Sequence, residues 1–208
     1  MGNNQDCCNF EEAHAPQLSV KNNKEIEDYY KSKTPANIST IGTIDEMKET
    51  RRFEYEDGTI YEGEFINDTR HGQGKIIYPD GVKYHGEFKN DQFDGFGTFI
   101  SQEMTYKGNF KEGLYDGRGT EYWNDGTLYD GFYKNGLKHG EGKYEWNDGE
   151  KYEGMWRDDM MHGMGKFFET NGDVFIGRFV RGKRHGKGTM NTADGQFLQW
   201  SYENGLRV

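Results

Sequence analysis

The chain has 208 residues, of which 32% are hydrophobic and 30 are glycine, and its formal net charge is −10. So little aliphatic material excludes a thick two-layer core, and the acidic balance argues against nucleic acid as a partner, because phosphate contacts need a basic face. No stretch approaches the roughly 18 apolar residues of a membrane span, the first residues lack the basic-then-apolar run of a secretory signal, and an intracellular protein is expected.

Residues 1–47 read as a mostly irregular tail without a repeat. It opens Met1-Gly2-Asn3-Asn4-Gln5-Asp6-Cys7-Cys8. A glycine at position 2 is what N-myristoylation requires; the usual pattern also has Ser or Thr at position 6, where this chain has Asp6. Cys7 and Cys8 are the only two cysteines, and being adjacent they cannot build a disulfide framework. Thiols this close to an acylated glycine suit S-palmitoylation. One myristoyl chain binds only marginally, so stable attachment needs a second signal. The tail holds four lysines against eight acids, which rules out a polybasic patch. Dual acylation at Gly2, Cys7 and Cys8 is therefore expected, with the protein on the cytoplasmic face of a membrane. Residues 21–32 (KNNKEIEDYYKS) predict a short helix. Asn37 and Asn67 match the glycosylation sequon, a chance match in a chain that is not exported.

The repeat domain is predicted over 48–208. A half-repeat, 48–60, ends in Asp57-Gly58, and a period of 23 residues then runs from Tyr61. Six copies fit: 61–83, 84–105 (one residue short), 106–128, 129–151, 152–174 and 175–197, followed by a closing remnant, 198–208. Position 1 is aromatic in every copy (Tyr61, Tyr84, Tyr106, Tyr129, Tyr152, Phe175), position 3 is glycine, and position 5 is aromatic again (Phe65, Phe88, Phe110, Tyr133, Trp156, Phe179). Alternate residues of a strand share a face, so the pattern is ring, gap, ring, and the glycine leaves space for a neighbouring ring over bare backbone. A polar loop of about five residues precedes a second strand with a G-x-G pair, such as Gly72 and Gly74, whose glycines are expected to share one face. Every copy but the second closes on Asp-Gly or Asn-Gly, the preferred pair for a two-residue hairpin turn with both residues at positive φ. The short second copy has Glu103-Met104 there, which predicts a kink or bulge.

The fold class expected is all-β: an elongated, single-layer antiparallel meander of stacked hairpins, with twelve strands from the six repeats. An open sheet of that length twists, which would bend it into a trough. Its ends need caps against edge pairing, one from residues 21–50 and one from Trp200 with Tyr202.

The unit Y-x-G-E-[FW]-x-x-G-x-x-H-G-x-G-x-x-x-x-x-D-G, recurring from residue 53 to about 205, resembles the MORN (membrane occupation and recognition nexus) repeat. The resemblance implies an elongated antiparallel sheet and roles in scaffolding, dimerisation and organisation near membranes, and phosphoinositide binding is often attributed to such repeats.

Candidate chemistry is thin. His71, His139, His162 and His185 recur at position 11, with Asp94 and Asp116 in copies two and three. Successive hairpins place them about 10 Å apart, too far to share a metal ion, and a polar hydrogen-bonding role at the strand entry is expected. The G-x-G pairs precede no helix, so they do not make a phosphate cradle. Paired carboxylates such as Asp158-Asp159 fall in loops. No enzymatic activity, cofactor or metal is expected. The reading is a lipid-anchored scaffold for protein partners at a membrane or membrane-associated cytoskeleton, with a homodimer among the arrangements open to it. One alternative is a phosphoinositide reader using Arg181, Lys183, Arg184 and Lys187, a weak contact given 22 basic against 28 acidic residues over 48–208. The other is a cytoskeletal or axonemal component without a membrane tie.

Overall fold

The computed structural model describes residues 48–208. The acylation sites and the helix expected at residues 21–32 lie outside the described residues. Fifteen strands follow one another in chain order: β1 (Lys48–Glu54), β2 (Ile60–Ile66), β3 (Thr69–Ile77), β4 (Lys83–Lys89), β5 (Gln92–Ile100), β6 (Met104–Lys111), β7 (Leu114–Trp123) and β8 (Leu128–Lys134). The series continues with β9 (Leu137–Glu145), β10 (Lys151–Arg157), β11 (Met160–Phe168), β12 (Val174–Val180), β13 (Lys183–Asn191), β14 (Phe197–Glu203) and β15 (Leu206–Arg207). Every strand pairs antiparallel with its sequence neighbours in one open sheet, and the described residues contain no helix. The six repeats supply the twelve expected strands, β2 to β13. The half-repeat adds β1 and the remnant adds β14 and β15.

The register aligns glycines. Gly63 pairs with Gly74, Gly74 with Gly86, and so on, without interruption, to Gly177 with Gly188. Arg51 closes this row at one end and Trp200 at the other. What covers it is the ring of the same repeat, not of a neighbour as the sequence led us to expect. Tyr61 lies across both Gly63 and Gly74, and a Cβ on Gly63 would stand 2.6 Å from its hydroxyl. The hydroxyl then donates to the Glu64 carbonyl at 2.9 Å. Tyr84, Tyr106, Tyr129 and Tyr152 repeat the bond to Glu87, Asn109, Phe132 and Met155. Those carbonyls lie at register shifts, such as that between Gly63 and Phe65, where the regular ladder lapses.

From the second repeat on, each ring at position 5 meets two rings at position 1 edge to face, while Phe65 of the first meets Tyr61 and the Arg51 guanidinium. Phe88 stands 5.0 Å from Tyr61 and 5.1 Å from Tyr84, and the herringbone runs on to Phe175–Tyr202 at 5.2 Å. Such contacts are favoured by the ring quadrupoles. Tyr61, Tyr84, Tyr106, Tyr129, Tyr152 and Phe175 are 0% exposed. One sheet thus builds its own core from rings lying flat on glycine.

Three local expectations change. The two-residue turn with both residues at positive φ is not at Asp-Gly but at positions 7 and 8: Asn67-Asp68 (49°, 62°), Asn90-Asp91 (50°, 65°), Asn135-Gly136 (50°, 85°) and their equivalents. The loop there is two residues, not five. At Asp80-Gly81 only the glycine is left-handed (87°), and residues 78–82 form a wider loop closed by Tyr78 N–H to Val82 O at 2.9 Å, with Asp80 Oδ1 accepting from Val82 N–H. The G-x-G glycines face opposite ways. The second lies under the ring, whereas a side chain on the first would meet position 4, as Gly95 would meet Glu87. A left-handed φ of 96° at Gly95 and the adjacent register shift explain the break in alternation. Finally, the short second repeat produces no bulge between β5 and β6, whose register is continuous from Gly95↔Phe110 to Ile100↔Thr105. The lost residue is absorbed in a tighter turn, Ser101 N–H bonding Met104 O at 2.9 Å.

Candidate interaction surface

The sealed rings leave a second, half-buried aromatic set on the same face, nearer the wider loops. It consists of Trp123, Tyr144, Trp146 and Phe167, at positions 16 and 18 of repeats three to five. Tyr144 stands 6.0 Å from Trp123 and 4.5 Å from Trp146, and Trp146 stands 5.5 Å from Phe167. In the first two repeats position 16 holds the buried Ile76 and Phe99. The strip is thus local to the middle of the sheet.

Two clamped cations bound it. Lys138 Nζ lies 3.0 Å from Glu121 Oε2, both side chains nearly inaccessible, and it also sits over Trp123 (5.1 Å) and Tyr144 (5.8 Å). At the other end Arg184 Nη2 meets Glu169 Oε1 at 2.7 Å and its guanidinium lies over Phe167 at 5.2 Å. Burial, followed by the Glu121 and Asp125 carboxylates, pushes the Tyr144 hydroxyl up to about 12. Beside Trp123, the tight turn of the short repeat leaves a hollow of ≈ 310 Å³ lined by Gln102, Glu103, Trp123, Asn124 and Asp125. Asn124 fixes its floor, donating to the Gln102 carbonyl at 2.6 Å. Rigid rings held by cations, with an adjoining notch, present apolar area at little entropic cost. No nucleophile, base and orienting group converge on it.

The residues singled out by sequence separate. Arg184 is spent on Glu169 and three rings, Phe167, Phe175 and Tyr202. Arg181 occupies the first turn position at φ 48°, and it, Lys183 and Lys187 are exposed. The position-11 residues face the next repeat's turn: Asp94 Oδ2 accepts from Glu112 N–H, Asp116 Oδ2 from Asn135 N–H, and His139 Nδ1 lies 3.7 Å from Asp158. Among the described residues no group of three or more His, Cys, Asp or Glu is placed to hold a metal ion. Sequence reasoning passed over the Trp123–Phe167 strip, although the 22-residue repeat beside it was visible.

No curated protein matches the chain. Among solved structures, the TCP domain of SAS-4 (dCPAP) of Drosophila melanogaster, in complex with a proline-rich motif of Ana2 (dSTIL), is similar over 81% of this chain and 97% of that one, with 8% identity and a TM-score of 0.47. The TCP10 domain of Danio rerio CPAP, in complex with a peptide of STIL, covers 73% and 83% at 13% identity and a TM-score of 0.27. The MORN repeat matches at residues 61–83, 84–102, 106–128, 129–151, 152–174 and 175–197. With the glycine row, the ring herringbone and six matched units in tandem, the chain belongs to the MORN repeat family.

Proposed function

We propose that the protein is a non-enzymatic scaffold. In this reading a protein partner lies along the Trp123–Tyr144–Trp146–Phe167 strip, and acyl chains on Gly2, Cys7 and Cys8 hold the assembly on the cytoplasmic face of a membrane. The observation that carries it is the strip itself. Four aromatic side chains remain half-buried on a face whose core is already sealed, so their exposed area does nothing for the fold and suits an apolar partner segment. Trp and Tyr are the residues that dominate binding energy at interfaces. The absence of a convergent catalytic group makes binding, not turnover, the reading the surface supports.

The test is photo-crosslinking in cells. A photoreactive phenylalanine analogue replacing Trp146 should capture a partner protein that the same analogue replacing Lys89, an exposed residue of repeat two, does not. Equal capture at both positions, or none at 146, would remove the strip from the partner interface.

A further inference from the structure

The face opposite the rings carries a separate pattern in repeats five and six. Met155 and Met164 are 41% and 62% exposed. Across β11 and β12, Met164 pairs with Arg178, Lys166 with Ile176, and Phe168 with Val174. Glu153, Met164, Gly165, Lys166 and Ile176 line a shallow hollow there. From Met164 to Phe168 the apolar path follows the strands for about 14 Å at ~3.4 Å per residue, roughly two and a half turns of a helix.

The hollow's one carboxylate, Glu153, is held by Lys143 at 2.8 Å, which leaves cations as the unpaired charges along the path. Arg157, Lys166, Arg178 and Lys187 are exposed, and none has an ion-pair partner among the described residues. On the same face in repeats three and four the cations are matched, Arg118 with Asp130 at 3.1 Å and Lys143 with Glu153 at 2.8 Å. Burial, followed by Arg157 and Arg178, lowers the His162 imidazole below its ordinary value, with Asp158 opposing. Such a concentration of cations stands out in a domain with more acids than bases.

We propose that this face of β10–β13 is a second docking surface, and that its occupant is an amphipathic helix of a partner protein with an apolar stripe and acidic flanks. A helix about 10 Å wide covers two strands spaced ~4.8 Å apart, so its stripe fits the Met164–Phe168 path while its flanks reach the free cations. Methionines supply an apolar lining that adapts to different side chains. An anionic bilayer fits less well. It would meet the whole acidic sheet, whereas a narrow helix feels little beyond a screening length of about 8 Å. The site does not depend on the ring-face strip, which serves as its control.

The experiment titrates the full chain against a labelled 16-residue helical peptide with leucines at i, i+3, i+4, i+7 and glutamates flanking them. The same peptide with lysines, and phosphatidylcholine vesicles containing phosphatidylserine, run in parallel. The glutamate peptide should bind at least tenfold more tightly than the lysine peptide. Met164→Asp should weaken it at least tenfold, the pair Arg157→Glu and Arg178→Glu should reverse the preference, and Trp146→Ala should change nothing. All four residues substituted lie outside the sealed ring core, and circular dichroism melting of each variant checks the fold. Should Met164→Asp unfold the domain, the arginine pair still decides. Absent or equal binding of the two peptides overturns the proposal, as does loss with Trp146→Ala instead. Vesicle binding abolished by the arginine pair, without peptide binding, overturns it in favour of lipid.

Discussion

At the scale of single residues, the sheet depends on what glycine lacks. A Cβ on Gly131 would stand 2.5 Å from the Tyr129 ring and 2.7 Å from the Gly142 backbone, and neither can retreat without lifting the ring from its bed. Gly131→Val should destabilise the domain by about 3 kcal/mol, at the upper end of core overpacking, seen as a lowered melting temperature; an unchanged one would contradict the packing. The opposite kind of exception is the buried pair Glu121–Lys138, which stands where other repeats place Ile76 or Phe99 and Phe93, Tyr115 or Met161. Removing one partner leaves an uncompensated charge, so Lys138→Met should cost about 3–5 kcal/mol. The double change Glu121→Phe with Lys138→Met should restore wild-type stability or exceed it. Denaturant unfolding of the cycle measures both, and a double variant as unstable as the single one would show that the pair earns its place.

At the scale of the element, the hairpins of repeats one to five are each held by a tyrosine hydroxyl where the ladder lapses, and Phe175 of the sixth has none. Burial raises Tyr61, Tyr84, Tyr106, Tyr129 and Tyr152 well above the ordinary tyrosine value. Groups raised on folding favour the protonated state. Their stabilisation is complete below the unfolded value of about 10 and is lost as pH climbs from there toward the folded values. The melting temperature should be flat between pH 8 and 9.5 with respect to these groups and fall steeply above 10, while tyrosinate absorbance lags behind that of the unfolded chain. A melting temperature that holds to pH 11.5 would contradict the burial of these hydroxyls in their protonated form. Neighbouring hairpins are joined by a second device at their turns: Asp91 Oδ1 accepts from both the backbone N–H and Nε of Arg70, at 2.9 and 3.0 Å, and Asp159 Oδ1 accepts from Lys138 N–H at 2.8 Å.

At the scale of the molecule, the scaffold proposal separates attachment from recognition. If acyl chains provide the attachment, Gly2→Ala should block myristoylation and release the protein to the cytosol. Cys7→Ser with Cys8→Ser should leave one myristoyl chain, whose association constant is on the order of 10⁴ M⁻¹, and with it partial, exchanging membrane association. The acidic tail offers no electrostatic rescue. Fractionation and imaging of both variants beside wild type decide the matter; all three remaining at one membrane would place the anchor in the repeats or their partner.

The hairpin count, the antiparallel meander and the core rings at positions 1 and 5 were legible in the sequence, because a 23-residue period with rings and glycines at fixed positions is local information. Each unit repeats it, so six copies average away the noise of any one. Ile76, Phe93, Phe99, Tyr115, Met161 and Met190, which add to that core, sit where the residue type varies from copy to copy. What the sequence by itself could not decide was how the copies meet. Turn type was assigned to Asp80-Gly81 when Asn67-Asp68 and its equivalents hold the two left-handed residues; both pairs tolerate positive φ, and only the cross-strand register chooses between them. Which ring covers which glycine also waited for the structure, since Tyr61 reaches Gly74 through pairing with β3 and not through spacing along β2. The same holds for function. Arg184 reads as a free cation among basic neighbours, yet strand pairing brings it onto Phe175 and Tyr202. The half-buried strip from Trp123 to Phe167 joins side chains from three separate repeats, so only the tertiary structure makes it a surface.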